Sequence, residues 1–106
     1  METPRLGHAP IKMQLVEPWA KNGPNGYARP GDFFWEMEDG KRSLVVALPC
    51  KGGDYGLWVN WSVDHKNHCN ASWSWNGNEA VPTLNPSLHW VGAWHGWVRN
   101  GELVEA

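Results

Sequence analysis

Ile11, Met13 and Leu15 alternate with Lys12 and Gln14, and this period of two predicts a half-buried strand. Residues 18–32 are rich in Pro, Gly and Asn and read as a loop. Residues 33–38 resume the alternation with Phe33, Trp35 and Met37 on one face. Asp39-Gly40 then separates that run from the Val- and Leu-rich residues 43–48, a hairpin signal because both turn positions of a type I′ turn need positive φ. Residues 49–54 break the pattern. Residues 55–62 restore it, with Leu57, Val59 and Trp61 on one face and Trp58 on the other. Residues 64–70 are polar and predict a loop. Residues 72–76 form a short alternating segment that presents Trp73 and Trp75 together, and residues 82–86 are extended and pinned by Pro82 and Pro86. Residues 94–98 are expected to pair with residues 102–104 across Asn100-Gly101, a second type I′ signal.

No window holds a helical period, and 8 Pro and 12 Gly punctuate the chain. The expectation is an all-β fold: a single domain over residues 1–106, mainly antiparallel, a small sandwich or barrel-like sheet with long loops and little helix. Phe33, Trp35, Leu44, Val46, Val59, Trp73 and Trp75 are the expected core.

Composition changes this picture in one respect. The chain has nine Trp, where ordinary usage gives about one or two for its length. Seven of them lie between Trp58 and Trp97, a stretch whose charged residues are Asp64, Lys66 and Glu79. A sheet with alternating faces leaves one side uncovered unless another layer packs on it. Two or three exposed indoles are therefore expected, with Trp58 and Trp97 the first candidates. The net charge of −2 lacks the basic footprint of a nucleic-acid binder, so none is expected as a partner. No apolar run is long enough to span a bilayer, and residues 1–10 lack a signal-peptide core, which predicts no membrane association and a cytoplasmic location.

The candidate chemistry is of two kinds. Cys50, His65, His68, Cys69 and His95 are the residues that would hold a zinc ion if one were bound, since a structural zinc takes four Cys or His ligands. The competing reading, a polar loop with reduced, unpaired cysteines and no cofactor, is the expectation adopted. His95 is a candidate general base, and Ser87 and Asp64 can be joined to it as a triad on paper, but neither sits in a recognisable nucleophile motif. Glu36 and Glu38 share a strand face that is more simply solvent. No enzyme activity is expected on these grounds.

Trp73-Ser74-Trp75-Asn76-Gly77-Asn78, then Pro82-Thr83-Leu84-Asn85-Pro86-Ser87-Leu88, then Trp94-His95-Gly96-Trp97-Val98 before Asn100-Gly101 form an ordered set of motifs over the second half of the chain. This set resembles a family of small phage and prophage proteins of unknown function. That resemblance implies Cys and His elements that suggest zinc, from which this chain departs: Gly53 stands where a second Cys would follow Cys50, and Val91, Gly92 and Ala93 lack the Cys expected before Trp94. It also implies a phage-encoded, non-catalytic binding protein acting by contact with a host or viral protein complex. A virion component, such as a decoration or tail-associated subunit, and a sugar or nucleotide binder using exposed Trp are the alternatives. The expected partner is a protein of host or phage origin, and Trp75, Asn76, Trp94 and His95 are expected to line one end of the domain as its binding site, with the Trp58 and Trp97 faces next.

Overall fold

A computed structural model of the chain describes residues 9–18, 28–50 and 55–106. The elements among them are all strands: β1 (Ile11–Lys12), β2 (Gln14–Leu15), β3 (Asp32–Glu38), β4 (Lys41–Cys50), β5 (Tyr55–Val63), β6 (Ser74–Trp75), β7 (Leu84–Asn85), β8 (Leu88–Trp90), β9 (Trp94–Arg99) and β10 (Glu102–Glu105). They form two four-stranded sheets, ordered β2-β3-β4-β5 and β1-β10-β9-β8, and a small β6-β7 pair. The protein is all-β, as the pattern predicts.

The first sheet is the scaffold. Its antiparallel β3, β4 and β5 ladders run from Phe33↔Val46 to Glu38↔Lys41 and from Arg42↔Val63 to Cys50↔Tyr55. Asp39 and Gly40 adopt φ of 51° and 74°, the left-handed pair that a type I′ turn requires. Leu44, Val45, Val46, Ala47 and Leu48 are all buried, because the middle of β4 is covered on both faces. The strand also runs further than expected. Pro49 and Cys50, assigned to a break, stay in register with Gly56 and Tyr55. Residues 51–54 of that break, and residues 19–27 of the first loop, lie outside the described residues.

The predicted first strand is divided between the sheets. Ile11 pairs with Leu103 in one, and Leu15 pairs in parallel with Phe33 in the other. Buried Met13, whose N–H donates to the Gly101 carbonyl, marks the crossing. Leu15 is consequently exposed rather than half-buried.

One apolar cluster joins the facing sides of the sheets: Phe33, Leu44, Val46, Leu48, Val59 and Trp61 from the scaffold, and Leu88, Trp94, Val98 and Leu103 from the second sheet. Trp35, Trp73 and Trp75 pack against this cluster while only partly buried, so they are its border rather than its centre. Met37, on the same strand face as Phe33 and Trp35, lies beyond the core and is exposed.

The second sheet contains a strand not anticipated from the pattern. β8 pairs with β9 through Leu88↔Gly96, His89↔His95 and Trp90↔Trp94, joined by a turn closed by Ala93 N–H to Trp90 carbonyl. β9 also pairs with β10 as expected, across Asn100 and Gly101 at φ of 49° and 73°.

Candidate functional site

Strand alternation divides β9. Trp94, Gly96 and Val98 point into the core, so His95, Trp97 and Arg99 point outward. Gly96 is required here, because a Cβ at that position would overlap the Val104 carbonyl oxygen and the Trp94 ring. Its role is internal packing, which leaves the Trp94 indole flat against the core.

Ser87 lies just before β8, in the two-residue link Pro86-Ser87 between β7 and β8. Fully buried Leu84 and Leu88 anchor the link on either side. The β8–β9 register, extended by one residue, sets Ser87 opposite Trp97 and diagonal to His95 on the outer face. The side chains meet: His95 Nε2 and Ser87 Oγ are 3.1 Å apart. A Ser hydroxyl and a His ring nitrogen at this distance are in the relation of a nucleophile and its base. For Ser87 to donate to Nε2, the ring must carry its own proton on Nδ1.

The His95 ring is constrained. His89 stacks on it at 4.5 Å between centroids and 29° between planes. Trp97 lies 6.1 Å away along the strand, with the Arg99 guanidinium 4.5 Å over the Trp97 ring. His95 is half-buried, which lets a substrate reach it, while exposed Trp90 and Val91 border the same hairpin.

The other motif residues build the support. Trp73 Nε1–H donates to the Ser87 carbonyl at 3.2 Å. Asn76 Oδ1 accepts from the N–H groups of Asn78 and Thr83, and Thr83 Oγ1 accepts from Asn100 N–H at 2.8 Å. The three motifs therefore converge, but not as one aromatic end of the domain. Trp75 is held between Trp35, at 4.6 Å, and Arg42, at 4.9 Å, while Arg42 also pairs with Glu79. Trp94 is 1% exposed and presents nothing to a partner. Trp58 is half-buried against Phe34 at 5.4 Å, and Trp97 is half-buried beneath Arg99. Of the described indoles, Trp90, at 44% exposure, is the most open, and it was not among the expected binding residues.

No contact joins Asp64, the third member of the triad drawn on paper, to the pair among the described residues. Asp64 follows the last residue of β5, and its N–H donates to the Trp73 carbonyl. The zinc candidates are dispersed: Cys50 at the end of β4, Cys69 exposed in the 64–70 loop, and His65 with Nδ1 against the Val63 carbonyl. Among the described residues no group of three or more His, Cys, Asp or Glu side chains is placed to hold a metal ion. Glu36, Glu38 and Asp39 border a shallow polar hollow with Lys41, Ser43, Asn60 and His65, on the scaffold sheet and not on the sheet of the Ser–His pair. No helix among the described residues is long and apolar enough to cross a membrane.

The outer face of the second sheet thus carries one Ser–His contact, between Ser87 and His95. Residues 20–106 match the family model described as bacterial ubiquitination-like system serine protease (BubE), and the chain belongs to that family. No curated protein and no solved structure matches the chain. Two expectations are corrected by the family. It is described as a protease, so the reading of a non-enzyme does not stand. It is described as part of a bacterial system, so the viral, phage-encoded reading does not stand either. The signal that the sequence held for the site was the eight-residue spacing of Ser87 and His95 about Gly92, which becomes a contact once residues 88–90 are read as a strand folding back on β9.

Proposed function

We propose that the protein is a serine hydrolase of a bacterial ubiquitination-like system, with Ser87 as nucleophile and His95 as general base. The observation that carries this reading is the 3.1 Å contact between His95 Nε2 and Ser87 Oγ, made by outward-facing side chains on the edge hairpin. The family description supports it. In the first half-reaction Ser87 Oγ attacks a substrate carbonyl while its proton passes to His95 Nε2. The C–N bond of an amide then breaks, the amine leaves with that proton, and Ser87 holds the acyl group as an ester. In the second half-reaction His95 Nε2 takes a proton from water as the water oxygen attacks the ester carbonyl; the C–Oγ bond breaks, His95 returns the proton to Ser87 Oγ, and a carboxylic acid is released. The stack of His89 on His95 keeps the imidazole plane fixed through both steps. Ubiquitination joins a carboxyl group to an amine as an amide, which is the class of bond this chemistry opens.

A fluorophosphonate probe tests the pair without knowledge of the substrate, because serine Oγ displaces fluoride from phosphorus only when activated. Intact mass should show one adduct, mapped to Ser87. Ser87→Ala should abolish it, and His95→Ala should slow it by about 100-fold or more, the usual range for loss of a general base. Absence of an adduct on the wild-type protein, or its persistence in Ser87→Ala, would refute the assignment.

A further inference from the structure

Ser87 belongs to neither ladder. Leu84–Asn85 pair with β6, Leu88 pairs with Gly96, and the link between them has no strand partner to fix its backbone angles. The direction of the Ser87 Cβ–Oγ arm follows from those angles, and a displacement of about 1 Å at a reacting atom can cost on the order of 100-fold in rate. Leu84 and Leu88 anchor the two ends of the link, and a further contact is made at Ser87 itself. The contact the structure shows at its carbonyl comes from across the sandwich, from the Trp73 indole N–H at 3.2 Å.

Trp73 is itself tightly held. Its N–H donates to the Ser62 carbonyl and its carbonyl accepts from Asp64 N–H, both at 2.9 Å, which fastens it as a bridge partner beside Val63 at the end of β5. Its ring meets buried Trp61 edge to face at 4.9 Å and 81°. A rigid bicyclic side chain with two χ angles, fixed at its backbone and wedged on its face, delivers its single donor to one place.

We infer that Trp73 is the positioning residue of the nucleophile: it locks the Ser87 carbonyl, and so the aim of Ser87 Oγ at His95 Nε2, to the scaffold sheet. It touches neither substrate nor the reacting atoms. The inference rests on the assignment of Ser87 as nucleophile and adds what holds it in place.

The test is the kinetics of fluorophosphonate labelling of the full chain, separated into the probe's apparent affinity, the first-order inactivation constant, and the final labelled fraction. Trp73→Phe keeps an aromatic ring against Trp61 and removes the N–H. Replacement of Trp73 by 3-benzothienylalanine keeps the bicyclic shape and removes the same N–H, and it decides the matter if the Phe variant does not fold. Both should lower the inactivation constant by about tenfold, with the labelled fraction complete and the affinity unchanged, which is the mark of a misaimed nucleophile in a folded protein. A residue that served only stability would lower the melting temperature and the labelled fraction while leaving the inactivation constant of the folded molecules at the wild-type value, and that result would overturn the inference. Wild-type protein labelled at Ser87, with both variants labelled at the same rate, would also overturn it and leave the Ser87 assignment intact. A wild-type protein that is not labelled removes the nucleophile and this inference with it.

Discussion

The two four-stranded sheets share one core and differ in everything else. The scaffold sheet is built on strands of seven, ten and nine residues, and part of its outer face is covered, with Phe34, Val45 and Ala47 buried there. The sheet that carries the Ser–His pair is built on strands of two to six residues, and its outer face holds His89, His95, Trp97 and Arg99. A long ladder covered on part of its outer face spends the side chains of that part on packing and leaves polar groups such as Glu36, Glu38 and Asn60 only beyond it. A short sheet covered on one side keeps a face for chemistry, but depends on its neighbour for rigidity. Trp73, bridged to the end of β5, and the Met13 crossing tie it to the scaffold sheet.

The sharpest way to break this arrangement is at Gly96. Its inner face has no room for a methyl group, since the obstacles are a backbone oxygen and an indole already packed in the core. Gly96→Ala should destabilise the protein by about 3 kcal/mol or more, at the upper end of overpacking costs. Thermal unfolding monitored by circular dichroism measures it. A melting temperature within a few degrees of wild type would mean that the Trp94 core is softer than the packing indicates.

The same contrast explains what was legible in the sequence. The scaffold strands could be read because Phe33, Trp35, Leu44, Val46 and Val59 sit in long alternating or continuous runs bounded by a recognisable Asp-Gly turn. β8 could not, because a three-residue strand holds too little alternation to register, and residues 91–93 carry no Asn-Gly or Asp-Gly signal. With β8 invisible, nothing showed that Ser87 and His95 meet, and the two stood together with Asp64 only as a triad on paper. The places of the Trp side chains were only partly legible for a related reason. Two or three exposed indoles were expected and Trp35, Trp73 and Trp75 were expected in the core, whereas Trp94 is core and Trp35, Trp73 and Trp75 pack around its edge, each of these three with its indole N–H given to a backbone carbonyl. Which donor meets which carbonyl depends on where loops pass, and periodicity does not report that.

A smaller effect separates the two type I′ turns. Gly40 and Gly101 have nearly equal φ, 74° and 73°, so an alanine at either meets the same backbone penalty of about 1 kcal/mol. Their surroundings differ. Nothing lies within 4 Å of a Cβ at Gly40, whereas one at Gly101 would meet Val81 Cγ1 at 2.9 Å. Gly40→Ala should therefore cost about 1 kcal/mol and Gly101→Ala about 2 kcal/mol, the excess being the displacement of Val81. Equal costs in denaturant unfolding would show that the 78–83 loop yields freely, and that the turn beside the site sheet is no more constrained than the turn of the scaffold.

The smallest effect expected on stability belongs to the residue with the largest expected effect on chemistry. Ser87→Ala removes one hydroxyl and its contact with His95 Nε2. A buried nitrogen left without a partner would cost about 1–3 kcal/mol, but His95 is half-buried and water can take the place of the hydroxyl. The Ser87 backbone keeps its bond from Trp73, and the His89 stack on His95 is untouched. The change in unfolding free energy should therefore stay within about 0.5 kcal/mol of zero, as for substitutions that leave packing intact. Paired with complete loss of fluorophosphonate labelling, that result would show that the Ser–His contact serves reaction and not folding. A fall in melting temperature of more than about 5 °C, comparable to roughly 1 kcal/mol in a domain of this size, would instead identify the contact as a structural tie of the β8–β9 hairpin.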